Sequence, residues 1–128
     1  MIAAARELSI HAYGGAYRAD CLCLFEENTA DFFAPGERAE YAAFLDSAAD
    51  SYFIMQVPVE GTIAAGGYDM TAQPGSGALA WGIVARSWQR RGIGRKLRRL
   101  RLARLRAAGA QSVRVRASQL SRGFLRTP

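Results

Sequence analysis

The run Ala80-Trp81-Gly82-Ile83-Val84-Ala85-Arg86-Ser87-Trp88-Gln89-Arg90-Arg91-Gly92-Ile93-Gly94-Arg95-Lys96-Leu97 decides how this chain is read. An apolar strand pattern ends near Ala85, a short polar loop follows, and a Leu/Arg-rich helical pattern begins at Gly92. Two glycines in the first helical turn leave its amide N–H groups uncovered by side chains and free to face an anion. The helix dipole adds partial positive charge, and Arg90, Arg91, Arg95 and Lys96 add full charges around the same loop. The segment reads as a phosphate cradle. Two common nucleotide motifs are excluded: there is no Gly-x-x-x-x-Gly-Lys-Ser/Thr run, and no Gly-x-Gly-x-x-Gly after a strand with an acidic residue beyond it.

Upstream of the loop, Leu8 to Ala12 reads as a short strand ending at Gly14-Gly15. Cys21, Leu24, Phe25, Thr29 and Phe32 recur at steps of three and four, which predicts a helix over about Tyr17 to Phe33, stopped by Pro35-Gly36. A second helix spans about Glu37 to Ala48. Ser51 to Val57, Thr62 to Tyr68 and Ala78 to Ala85 then form a three-stranded meander, separated by Pro58, Gly61 and the Gln73–Gly77 loop. Beyond the cradle come a helix from about Gly92 to Ala108 capped by Gly109, a strand Ser112 to Ala117, and a helix starting at Ser118. This order predicts an α/β domain with a mixed sheet. The 128 residues, half hydrophobic and 22% charged, suit one domain over 1–128.

No apolar run approaches the roughly 20 residues that cross a bilayer, and Arg6 and Glu7 fall where a signal peptide has its apolar core. The expectation is a soluble cytoplasmic protein without a membrane partner. Cys21 and Cys23 are too few and too close for a disulfide framework or a zinc cluster, so they are expected as buried helix thiols, with no metal site. The net charge of +6 conceals a division. Residues 1–70 hold three arginines against all eleven carboxylates, whereas residues 71–128 hold fourteen cations and no carboxylate. The second half is an anion-seeking surface, and the acidic first half favours a cationic or amine-bearing ligand.

Gln89-x-x-Gly92-x-Gly94, between an apolar strand and a helix, resembles the pyrophosphate loop of the GCN5-related N-acetyltransferase (GNAT) superfamily, and the order of elements resembles that family over nearly the whole chain. The resemblance implies acetyl-CoA as cofactor. Within the loop that begins at Gln89 and Arg90, the amides of Arg91, Gly92, Ile93, Gly94 and Arg95 would hold the pyrophosphate. The backbone of Ile83 and Val84 would pair with the pantetheine arm as an added strand does, and an N–H near Ile83 would polarise the thioester carbonyl. The implied activity is acetyl transfer to a primary amine of a small-molecule or peptide acceptor.

The catalytic pattern departs from the family. Ala78 and Ala80 stand where many members carry a carboxylate. The family's Asn-x-x-Ala-x-x-x-Tyr, laid on Ser118 to Leu125, puts Leu125 in the place of the tyrosine acid, and the family's last two strands are expected to be missing after Pro128. Glu26 and Glu27 on the first helix, and Tyr68 with Asp69, are substitute proton carriers, of which Glu27 and Tyr68 are the candidate catalytic residues. His11 reads as a structural or surface residue. Phe32, Phe33, Pro35 and Tyr41 form an aromatic cluster that reads first as core and second as acceptor pocket.

A competing expectation is a nucleic-acid surface built on the arginines of 95–106 with Arg114, Arg116, Arg122 and Arg126. At 100° per residue Ile93, Leu97, Leu100 and Ala107 share one face, Arg95, Arg99 and Arg106 lie opposite, and Arg104 falls inside the apolar face. Leu102 and Leu105 fall on the outer side, a second contact surface for a homodimer or further strands. No RNA-binding aromatic signature, zinc spacing or helix-turn-helix accompanies the charge, so nucleic acid ranks second. A CoA-binding protein of this fold without turnover ranks beside it.

Overall fold

In the computed structural model, which describes residues 7–32, 34, 36–47 and 51–115, the chain runs β1 (Ser9–Ala12), α1 (Arg18–Phe32), α2 (Glu37–Ser47), β2 (Tyr52–Val57), β3 (Gly61–Met70), β4 (Ser76–Val84), α3 (Ile93–Ala107) and β5 (Ser112–Val115). Single 3-10 turns at Gly15–Tyr17 and Arg86–Trp88 precede α1 and α3. The strands form one sheet in the order β1-β2-β3-β4-β5. The first four are antiparallel, and β5 pairs parallel to β4. Parallel neighbours need a crossover, which α3 provides. The expected mixed α/β sheet is present. The helix expected from Ser118, with Leu125, lies outside the described residues, as do Phe33 and Pro35.

Pleating sends neighbouring residues of β2 to opposite faces. Tyr52 faces α1 and α2, where it meets Tyr41 and Phe44, whereas Phe53 faces α3 and lies under Arg104. Phe25, Tyr41, Phe44, Tyr52 and Trp81 stack into one aromatic core, with Tyr41 fully buried. Tyr41 is therefore core. Its hydroxyl meets that of Tyr52 at 2.7 Å, and Tyr52 donates onward to the Trp81 carbonyl at 2.9 Å. Burial pushes both phenols well above the ordinary value and raises the Cys21 thiol to about 11. Cys21 is buried as expected. Cys23 is exposed, because it lies two residues on and thus about 200° around α1.

The Trp81 carbonyl sits in a β-bulge. Ala65 pairs with Ile83 and Gly67 with Ala80, so Gly66 alone opposes both Trp81 and Gly82. The extra residue puts Trp81 at φ +48, a left-handed conformation that costs a non-glycine residue about 1–3 kcal/mol. The bulge reverses the alternation of β4. Trp81 turns into the aromatic core, and Gly82 turns toward α3.

α3 corrects one expectation. Its buried residues are Ile93, Leu97, Arg101 and Leu105, a single i, i+4 row, as when a helix lays that ridge along its neighbour. The row drifts about 40° per step, so the buried face rotates away from Leu100 and Ala107 toward Leu105. Leu105 is fully buried near Gly77 and is no part of an outer contact surface. Arg104, which had no account on the apolar face, is exposed and places its guanidinium 5.1 Å over the Phe53 ring. Every described residue of β5 is exposed. No helix among the described residues is long and apolar enough to cross a membrane.

Two tests follow from the aromatic core. Tyr52→Phe removes the Tyr52 donor from the Trp81 carbonyl and leaves the Tyr41 hydroxyl only its contact with the Cys21 thiol, and lowers stability by about 2 kcal/mol, whereas Tyr41→Phe, which leaves the bond from Tyr52 to Trp81 in place, costs about 1 kcal/mol. Urea midpoints at constant slope measure both, and equal losses would contradict the relay. The Cys21, Tyr41 and Tyr52 protons are bound more tightly in the folded chain than in the unfolded one. That stability is full below the unfolded thiol value of 9.0 and is lost as pH rises through about 11. The urea midpoint should therefore fall between about pH 8 and pH 10.5, and a flat profile would refute the burial argument.

Candidate functional site

The loop between β4 and α3 is shaped by two left-handed residues. The last rung of the β3–β4 ladder is Ala85 N–H to Ile63 at 2.7 Å, after which Arg86–Trp88 makes a 3-10 turn. Gln89 is extended, Arg90 has φ +65, and Gly92 caps α3 at φ +85, a value that favours glycine. The first helical bond runs from Lys96 N–H to Gly92 at 3.1 Å. The amides of Arg91, Gly92, Ile93, Gly94 and Arg95 meet no acceptor among the described residues, and no side chain caps the helix. These five donors sit together. A Cβ at Gly94 would touch only Val84 Cγ2, at 3.9 Å, so the surface over the amides stays open. Arg90, Arg91, Arg95 and Lys96 are all exposed around it, and Arg91 lies 4.9 Å over the Trp88 ring. The arrangement suits a diphosphate in donor number and charge.

The loop is held from behind by α1. Asn28, 1% exposed, donates through Nδ2 to Leu24 at 2.8 Å and to Val84 at 3.1 Å, and its Oδ1 accepts from Gln89 Nε2 at 2.6 Å. Gln89 also donates to the Val84 carbonyl at 3.0 Å. The motif glutamine thus spends its amide on fixing the loop. Beside it, Glu27 Oε1 accepts from the Arg86 amide at 2.7 Å, and Arg86 Nη1 returns a bond to the Glu27 carbonyl at 3.3 Å. Trp88 Nε1 donates to Glu60. Asn28 escaped the sequence reading although a signal was present. It falls at i+7 from Cys21 and i+4 from Leu24, a polar residue on the buried stripe of a helix.

Ile83 pairs with Ala65 and Val84 with Ala64. The Ala85–Ile63 bond sets the alternation, so Ile83 directs its backbone groups to β3 and Val84 directs its own to the opposite side. On that side β5 pairs only with Ser76 to Leu79 among the described residues. Of the two residues expected to offer backbone to a ligand, Val84 is the one turned outward, and with its carbonyl taken by Asn28 and Gln89 it has its N–H to offer.

The candidate proton carriers are not brought together. Tyr68 pairs with Leu79 and stacks on Phe53 at 5.8 Å, on the α3 face. Glu27 stands on α1, across the sheet and about five strand residues, or roughly 17 Å, away. Glu26 is ion-paired with Arg38, Asp69 accepts from the Met70 amide, and His11 Nε2 meets Ser9 Oγ at 2.9 Å. A cavity of about 370 Å³ beside the Arg86–Trp88 turn is lined by Asp20, Glu27, Glu60, Ser87 and Trp88. Each of its carboxylates already takes a donor, with Asp20 accepting from Thr62. No group of His, Cys, Asp or Glu among the described residues is placed to hold a metal ion.

A mixed sheet whose crossover helix opens on five unpaired amides defines an α/β domain with a candidate anion site, and comparison narrows the class. The model of the Acetyltransferase (GNAT) family matches residues 22–126, and the chain belongs to that family. Among curated proteins no sequence relative matches. Solved structures share the fold. N-acetylglutamate synthase from Neisseria gonorrhoeae, complexed with coenzyme A and N-acetyl-glutamate, superposes with a TM-score of 0.70 at 15% identity over 93% of this chain, which spans 27% of that protein. A GNAT family acetyltransferase from Brucella melitensis in complex with acetyl-CoA gives 0.65 at 23% identity over 91% of this chain and 80% of the other. A GNAT protein from Desulfovibrio desulfuricans gives 0.74 at 19% identity, over 93% and 80%.

Asn28 gives a direct test of the anchor. Asn28→Leu keeps the branching of the side chain and removes its donors and its acceptor, and lowers stability by about 2 kcal/mol in urea. Asn28→Asp turns a carboxylate on two carbonyl oxygens; its folded pKa rises, so the loss is greater at pH 7 than at about pH 5. Equal stability of both variants and wild type would remove Asn28 from the loop's support.

Proposed function

We propose that the chain binds acetyl-CoA at the α3 loop and transfers its acetyl group to a primary amine. The observation that carries this reading is the set of five unsatisfied amides from Arg91 to Arg95, ringed by four cations, in a chain of the GNAT family. Bound acetyl-CoA supplies the activated acyl group. The loop amides would hold its diphosphate, with Arg90, Arg91, Arg95 and Lys96 adding charge. Gln89 shapes the loop from beneath, and Val84, its carbonyl held by Asn28 and Gln89, would offer its N–H to a carbonyl of the amide-rich arm. The bound neighbours from Neisseria and Brucella support the same ligand class.

The acceptor amine must reach the acyl carbon unprotonated. For Glu27, the role that fits its place is to accept the proton through water at the end of β4, since its Oε1 is already engaged with the Arg86 amide. Tyr68 is retained as the alternative carrier on the α3 face. The carboxylates of residues 1–70 favour a small or peptide acceptor that carries positive charge. A second reading, cofactor binding without turnover, is favoured by the separation of Glu27 from Tyr68.

Thermal unfolding with and without acetyl-CoA tests the cofactor. Ligand at a hundredfold excess over Kd adds about 2.7 kcal/mol to the folded state, a rise on the order of 10 °C for a domain of this size. Gly94→Asp, which puts a carboxylate at the cradle, abolishes the rise, whereas Gly94→Ala, whose methyl fits beside Val84, keeps it. No rise in the wild type would overturn the reading, and the arginines of α3 would then be tested against nucleic acid. Release of free CoA thiol with a panel of amines separates turnover from binding alone.

A further inference from the structure

The proposed reaction leaves one buried cation unexplained. Arg101 lies in the apolar row of α3 between Leu97 and Leu105 and is 8% exposed. Burial lowers its guanidinium to about 10, so it stays charged at neutral pH, and the titratable groups that act on it are Tyr52 and Arg98. It has no carboxylate partner among the described residues. Nη1 makes a long bond of 3.4 Å to the Gly67 carbonyl, and Nε is buried with no acceptor. The guanidinium is pressed on the bulge: a Cβ at Gly82 would lie 2.9 Å from Nη2 and 3.1 Å from Nη1. Position 82 lacks a side chain where Arg101 takes the space. Gly82 is exposed and lies two residues before Val84, whose outward N–H would meet the pantetheine arm.

A buried cation without a counter-ion is costly unless an anion arrives to meet it. Acyl transfer from a thioester produces one. We propose that Arg101 is a catalytic residue that stabilises the negative charge on the thioester sulfur as the acyl group departs. The inference rests on the acetyl-CoA reading above. In the step, the amine lone pair forms the C–N bond, the C–S bond breaks with its electron pair passing to sulfur, and the proton of the new ammonium leaves to a base or water. Arg101 keeps its own protons throughout and contributes charge-assisted hydrogen bonds. It thereby does by charge what an acidic hydroxyl does by proton donation, and it needs no tyrosine at position 125.

Coenzyme A itself is the probe, through the ultraviolet absorbance of its thiolate titrated on the protein. In the wild type the bound thiol should ionise about one pH unit below the free thiol, the shift expected from a cation within hydrogen-bonding reach. Arg101→Met should return it to the free value or above while coenzyme A still raises the unfolding midpoint, and the variant itself should unfold no earlier than wild type. Arg101→Lys should retain most of the shift. A purely structural arginine would leave the thiol titration unmoved in Arg101→Met, and that result overturns the assignment alone. Should Arg101→Met fail to fold, Gly82→Ala, whose methyl meets the guanidinium, carries the same comparison. A wild type that shows no stabilisation by coenzyme A overturns the cofactor reading and this proposal with it.

Discussion

β4 carries one residue more than β3 can pair, and the excess falls opposite Gly66. From Ser76 to Ala80 the strand is an ordinary half of an antiparallel pair, and beyond the extra residue each side chain has changed face. Trp81 enters the aromatic core, Gly82 comes beneath α3, and Val84 turns its backbone outward beside the loop. The strained Trp81 backbone persists because both faces hold it, with the Tyr52 hydroxyl on its carbonyl and Arg101 closing over Gly82. Without that offset the residues after Ala80 would present their opposite sides, and the loop would leave the sheet in a different direction.

Much of this was legible in the sequence because it depends on local period and punctuation. The meander, the crossover helix, the Gly109 cap and the uncovered amides all follow from glycines and apolar steps that act over a few residues. The bulge was not legible. Trp81-Gly82 is compatible with a regular strand, and only the pairing with Gly66 and Gly67 shows that a residue is left over. Arg101 was hidden for a related reason. A helical wheel centred on Ile93 and Leu100 put Arg95, Arg99 and Arg106 outside and Arg104 inside and gave Arg101 no place, whereas the twisted sheet takes the i±4 ridge that ends at Leu105. Choosing between those ridges requires knowing what the helix crosses.

The catalytic candidates failed to converge for a different reason. Residue type and rough position suggested Glu27 and Tyr68, but a carboxylate near a loop has backbone amides to satisfy as well as substrates to meet. Glu27 is bonded to Arg86, and Tyr68 stacks on Phe53 across the sheet. The first half of the chain supplies its acids mostly as braces. Asp20, Glu26, Glu27, Asp46 and Glu60 each take a donor from elsewhere in the fold. Asp20, Glu26 and Asp46 brace Thr62, Arg38 and Arg18 within the acidic half, and Glu27 and Glu60 reach across the polarity divide to Arg86 and Trp88, so part of what looked like a ligand surface is spent on internal contacts.

The loop ahead of α3 is fastened on one side only. Asn28, Gln89 and Glu27 grip it from the α1 side, while its five amides meet no acceptor among the described residues. A support of that kind does not share atoms with whatever lies on the other side. An anion bound there as proposed would find donors already set at their spacing and no backbone to order, so little conformational entropy would oppose its capture. Its departure would likewise leave a loop that has no reason to collapse. Exchange at such a surface would be governed by charge and diffusion, with its salt dependence in the exposed Arg90, Arg91, Arg95 and Lys96 and its shape in the buried Asn28.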